Sequence, residues 1–153
     1  NNITLAVLNQ VLDLVYTRTI REEEGGTYGV GTSVGMSRRP LGETMLYISY
    51  TTDESKVEKL NKIAYDEIEK IATNGPDQED FDKTIEFMKK SYQEAIKQND
   101  YWMSTIYTYN LYDEDNHSSY LEYVNTLKPE DVKLIARKIL DAKNYKEVIM
   151  FPQ

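Results

Sequence analysis

Arg21 and Tyr28 are a pair of side chains whose types and spacing could act on a ligand. Both donate hydrogen bonds, the guanidinium through a planar fork of N–H groups and the phenol through one O–H. Between them lies Glu22-Glu23-Glu24-Gly25-Gly26-Thr27, an acidic knot followed by two glycines. Glycines let the backbone turn sharply and clear space beside the flanking side chains. An arginine and a phenol aimed at one cleft can both donate to a peptide carbonyl, or to the oxyanion it becomes during hydrolysis. Such a donor contributes a few kcal/mol in a water-poor site. A plainer role is open to each residue: an arginine at a helix end complements the helix dipole, and a strand tyrosine fills core. The three glutamates read as a solvated turn rather than as acid–base machinery.

The elements on either side must hold this pair. Leu5, Leu8, Val11, Leu12 and Val15 recur at helical spacing, predicting a helix over 4–20 with one buried stripe and Thr4 as its N-cap. From Tyr28 the period changes to two. Tyr28, Val30, Thr32, Val34 and Met36 fall on one face of a strand; Gly29, Gly31, Ser33 and Gly35 form a smooth trough on the other. Arg38-Arg39-Pro40-Leu41-Gly42 reads as a hairpin loop, and residues 44–51 as the return strand.

Helices are expected over 54–73, ended by Asn74-Gly75-Pro76, and from Asp77 onward, with Phe81, Ile85, Met88, Tyr92 and Ile96 on one side. Residues 100–112 form an aromatic helix, 113–118 a polar loop, Tyr120–Val124 part of a short helix, and Pro129 opens the last helix. Tyr145–Phe151 is expected as a final strand. The order is helix, two strands, several helices, one strand: an α+β domain with an antiparallel sheet against helices. Residues 1–153 read as a single domain that starts on a helix, with part of its sheet missing.

A net charge of −8 argues against nucleic acid, which needs a basic footprint. No apolar run reaches the roughly 18 residues of a membrane span. With no cysteine and one histidine, His117, the chain lacks the three or so ligands of a hydrolytic zinc centre. Asp113-Glu114-Asp115-Asn116-His117-Ser118 has Ser118 rather than glycine at the sixth position of a calcium loop, and Val124 where the bidentate glutamate belongs. Gly29, Gly31 and Gly35 miss the dinucleotide spacing and lie within a strand. No G-x-S-x-G elbow presents a serine to His117. Asn2-Ile3-Thr4 and Asn116-His117-Ser118 are glycosylation sequons of the kind that chance supplies.

Arg21-Glu22-Glu23-Glu24-Gly25-Gly26-Thr27-Tyr28 resembles the R-E-E-x-G-x-x-Y element in the non-catalytic half of the M16 (pitrilysin/insulinase-like) zinc metallopeptidases. Weaker echoes are the hairpin through Tyr50, the Thr73–Asp77 break, and Leu127-Lys128-Pro129-Glu130-Asp131-Val132 before the last helix. The resemblance implies an M16-type α/β sandwich domain lacking its N-terminal strands, in which Arg21 and Tyr28 bind the substrate peptide. It implies no catalytic residue, metal ligand or cofactor in this segment. Zinc belongs to a missing half carrying H-x-x-E-H, in cis or on a partner subunit. A catalytically silent M16-like domain with a structural or partner-binding role is the alternative. A bacterial enzyme of this kind would sit in the periplasm or cell envelope. An open sheet edge implies a capacity to dimerise.

Overall fold

The computed structural model describes residues 2–37 and 42–151. Helix α1 (Asn2–Tyr16) is the spine of the domain. Every residue of the expected stripe is buried, and Val7 and Tyr16 on its flanks are buried too. The stripe is wider than expected because strand β1 and helices α2, α3 and α6, bounded below, all pack on α1. Each Leu or Val so enclosed contributes about 1.5–3 kcal/mol through its removal from water. Thr4 lies inside α1 rather than capping it. Its buried hydroxyl is satisfied at long range instead, by the Tyr123 hydroxyl at 3.0 Å. The Tyr16 phenol donates to the Ala64 carbonyl (2.7 Å), and burial pushes its ionisation far above the ordinary range.

Beyond Tyr16 the helix widens into a π-helical stretch, Thr17–Glu23. Here the Thr19 hydroxyl donates to the Val15 carbonyl (2.9 Å), the group that would accept the Thr19 amide in a regular α-helix. Arg18 leaves this stretch to make a two-pronged ion pair with Asp80 of α3, at 3.2 and 2.9 Å.

Strands β1 (Val30–Ser37) and β2 (Glu43–Tyr50) form an antiparallel pair. The expected hairpin loop lies, apart from Gly42, outside the described residues. The register sets Val30 opposite Tyr50, Thr32 opposite Ile48 and Val34 opposite Leu46. Of these, Val30, Val34, Leu46, Ile48 and Tyr50 pack on the core. The other face pairs Gly31, Ser33 and Gly35 with Ser49, Tyr47 and Met45. The trough of small residues is therefore the outer face, walled by Tyr47 and Met45. Thr32 ties the sheet to α1, its hydroxyl 3.2 Å from the Asn9 carbonyl and 3.3 Å from Asp13.

A 3-10 turn (Glu54–Lys56) leads into α2 (Val57–Asn74), which Gly75 ends at positive φ. Helices α3 (Gln78–Ala95), α4 (Asn99–Tyr112), α5 (Tyr120–Thr126) and α6 (Pro129–Asp141) follow. No residue of α4 is buried.

The expected final strand does not form. Among the described residues the sheet has two strands, and 142–151 is exposed throughout, Met150 to 90%. Alternating apolar residues supply strand propensity, but a strand exists only in a ladder, and Tyr145–Phe151 has no ladder partner here. Its one aromatic contact is Tyr145, edge-on to Tyr65 at 5.9 Å. The fold is α+β, a two-stranded antiparallel sheet against a mainly helical body.

Candidate functional site

The turn from Arg21 to Tyr28 is built in three steps. First, Gly25 adopts φ +54, the left-handed conformation that ends a helix, with open space where a side chain would begin. Second, the Gly26 amide reaches back to the Ile20 carbonyl (3.2 Å) and closes the helix end. Arg21 follows Ile20 by one residue and Tyr28 follows Gly26 by two, so both flank the same hydrogen bond. Third, Thr27 closes a small turn of its own. Its hydroxyl donates to the Gly29 carbonyl (2.8 Å) and lies 3.2 Å from the Gly29 amide. Tyr28 is the apex of that turn, two residues ahead of β1, and 99% exposed.

The approach to α2 immobilises this turn. The Thr52 hydroxyl donates to the Gly26 carbonyl at 2.6 Å, and Lys56 Nζ to the Gly25 carbonyl at 3.2 Å. Lys59 pairs with Glu24. Buried Gly26 lies directly against Leu60: a Cβ on Gly26 would fall 2.6 Å from Leu60 Cδ1. Of the three glutamates, Glu24 is thus a tether, while Glu22 and Glu23 are exposed as expected. Nothing in the sequence singles out Thr52, Lys56, Lys59 or Leu60 for this task. They lie 26 to 35 positions from the residues they hold, except that the T-x-G spelling of Thr27-Tyr28-Gly29 does signal a side-chain turn.

Arg21 is exposed near the end of the π-helical stretch, and among the described residues neither its side chain nor that of Tyr28 has a hydrogen bond or ion pair. Neither lines the cleft of about 980 Å³ between the start of α1, the hairpin and the end of α4, nor the shallow one beside Phe87 and Gln98. Arg21 and Tyr28 are therefore each exposed, outside both clefts, on either side of a turn held by the approach to α2.

His117 is engaged elsewhere, through Nδ1 and its ring. Its Nδ1 lies 2.9 Å from both the Tyr92 and Tyr101 hydroxyls, and its ring 4.7 Å from that of Trp102. Tyr92 in turn stacks on Tyr120 at 4.5 Å. Burial, reinforced by the neighbouring Tyr92, pushes Tyr101 up to about 12. Asp115 accepts from the His117 and Ser118 amides at 2.9 Å, which shapes the loop as an internal cap. His117 thus joins rings of α3 and α4, while Tyr92 carries the contact on to α5. Phenols surround its Nδ1, and among the described residues no three His, Cys, Asp or Glu side chains cluster around it as a zinc centre would need.

The family model of the peptidase M16 inactive domain matches residues 1–88. The zinc protease PQQL-like protein of Arabidopsis thaliana is 24% identical over 167 residues, covering 97% of this chain and 18% of the relative. The periplasmic protease PqqL from Escherichia coli superposes with a TM-score of 0.71 at 16% identity, over 90% of this chain and 15% of that one. The peptidase M16 inactive domain from Pseudomonas fluorescens gives 0.70 at 22% identity, over 88% and 33%. The chain thus spans less than a fifth of its curated relative. The family match covers more than half of the chain and includes α1, the glycine turn, the hairpin and α2. This chain belongs to the family of peptidase M16 inactive domains.

Proposed function

We propose that this domain holds the peptide substrate of an M16-type zinc peptidase, with Arg21 and Tyr28 as the contacts, and that residues 1–153 are one partial domain of a longer polypeptide. The observation that carries this reading is the state of the pair: two hydrogen-bond donors, exposed and without side-chain partners among the described residues, at either end of a turn held by the approach to α2. Donors on a held turn that are free of internal bonds can engage a carbonyl or oxyanion without first giving up another partner. Their open setting suits half of a site, whose other wall comes from elsewhere. The zinc, and the water it activates, belong to a half bearing H-x-x-E-H, in the same polypeptide or on a partner. The zinc protease name of the Arabidopsis relative supports that assignment.

Within such a site Arg21 binds a substrate carbonyl through its N–H fork, and Tyr28 donates a second hydrogen bond that orients the chain. In the full-length polypeptide, Arg21→Ala is expected to remove about 2–4 kcal/mol of transition-state stabilisation, read as kcat/KM on a peptide. Tyr28→Phe costs less, and neither changes zinc content or the unfolding midpoint. Full turnover in both variants refutes the substrate-holding role. A zinc-free, inactive parent assigns the domain to the structural or partner-binding class instead.

A further inference from the structure

Tyr28 makes no contact of its own: it is 99% exposed and has no hydrogen-bond partner among the described residues. A side chain in that state is aimed only by its backbone. Two hydroxyls hold that backbone. On one side, Thr52, which follows β2, donates to the carbonyl of Gly26 at 2.6 Å. On the other, Thr27 spans Tyr28 and joins its own hydroxyl to both polar groups of Gly29, at 2.8 and 3.2 Å. Gly26 is seated against Leu60, whereas Gly29 has nothing within 4 Å of where a side chain would start. Beyond Gly26, the exposed Tyr-Gly step has little but the hydroxyls to restrain it, since a glycine leaves its backbone conformationally free.

We infer that Thr27 and Thr52 are positioning residues that act on the substrate through Tyr28. The inference rests on the substrate-holding reading of Tyr28 and assigns that site two further members. Chemically, neither threonine touches the peptide. Their contribution is to narrow the range of directions the phenol samples, so that less order is lost when it engages a carbonyl.

The test uses the full-length polypeptide, peptide turnover, and the variants Tyr28→Ala, Thr27→Val, Thr27→Ser and the double variant Thr27→Val with Tyr28→Ala. Valine keeps the shape of threonine and deletes the hydroxyl. Thr27→Val is expected to lower kcat/KM about three- to tenfold, the scale of one net hydrogen bond. Thr27→Ser restores most of that loss. In the Tyr28→Ala background, Thr27→Val costs nothing further, because there is no phenol left to aim. Thr52→Val, on a different element, follows the same pattern. Wild-type turnover in Thr27→Val, no rescue by serine, or an equal loss with and without the phenol each overturn the positioning role and leave the substrate-holding reading intact. Wild-type turnover in Tyr28→Ala overturns both.

Discussion

Gly26→Ala tests the seating of the Arg21–Tyr28 turn against α2 directly. The added methyl would sit 2.6 Å from Leu60 Cδ1, 3.0 Å from Cδ2 and 3.3 Å from Cγ. A rotation that cleared one methyl of Leu60 would still leave the branch point crowded, and Leu60 is fully buried. Overpacking of this kind costs about 1–3 kcal/mol. At about 2 kcal/mol, the melting temperature of the 153-residue chain should fall by roughly 4–8 °C. Gly25→Ala is the control. There the methyl meets nothing within 4 Å, and the cost, about 1–2 kcal/mol, comes from holding a side chain at φ +54. The two mechanisms separate in a double-mutant cycle with Leu60→Ala, measured by urea unfolding. Leu60→Ala alone costs about 2–5 kcal/mol. In its background the Gly26→Ala penalty should vanish or reverse, since the new methyl fills part of the cavity, while the Gly25→Ala penalty should persist. Additive behaviour of Gly26→Ala with Leu60→Ala, or a Gly26→Ala protein as stable as the wild type, would refute the contact as the reason for glycine here.

Asp115 is held down to about 2 from an ordinary 3.8 by the Ser118 hydroxyl and by the Ser118 and His117 amides, so its stabilisation is complete above about pH 4 and is lost as pH falls toward 2. Fluorescence of Trp102, which neighbours His117, should report this loss in an acid titration, and Asp115→Asn should remove that step. Arg18→Ala strands the Asp80 carboxylate, 5% exposed, without its two-pronged partner; because water reaches the Arg18 side chain, the expected cost is about 1–2 kcal/mol in urea unfolding rather than the 3–5 of a fully buried pair. Arg18→Lys should recover only part of it, since an ammonium cannot match the fork. The outer edges of the two-stranded sheet lack ladder partners among the described residues, so the isolated chain is expected to self-associate with rising concentration in sedimentation equilibrium; a monomer throughout the range would refute this.

Much of the fold was legible in periodicity. The stripe from Leu5 to Val15, the two-residue alternation (expected from Tyr28, found from Val30) and the Asn74-Gly75-Pro76 stop correspond to α1, β1 and the end of α2, because each is written in local spacing and local backbone preference. The α1 boundary was not. Helical spacing alone does not reveal that Thr4 spends its hydroxyl on Tyr123, 119 positions away, or that the helix runs on to Glu23 in π form. Tyr145–Phe151 shows the same limit from the other side: its residues favour a strand, but no sequence pattern supplies the neighbouring strand.

For the site, residue types and spacing determined the candidates. Arg21, the glycines and Tyr28 are contiguous, so their chemistry and the need for a sharp turn are readable from the sequence alone. Only the tertiary structure decided why that turn is rigid. Thr52, Lys56, Lys59 and Leu60 reach it from the other side of the hairpin. It also decided the fate of His117, which is enclosed by Tyr92, Tyr101 and Trp102 from two helices. The physical reason is common to both. Backbone preference and side-chain chemistry act over a few residues and are spelled out in order, whereas packing and hydrogen bonding act over a few ångströms between segments that the sequence lists far apart.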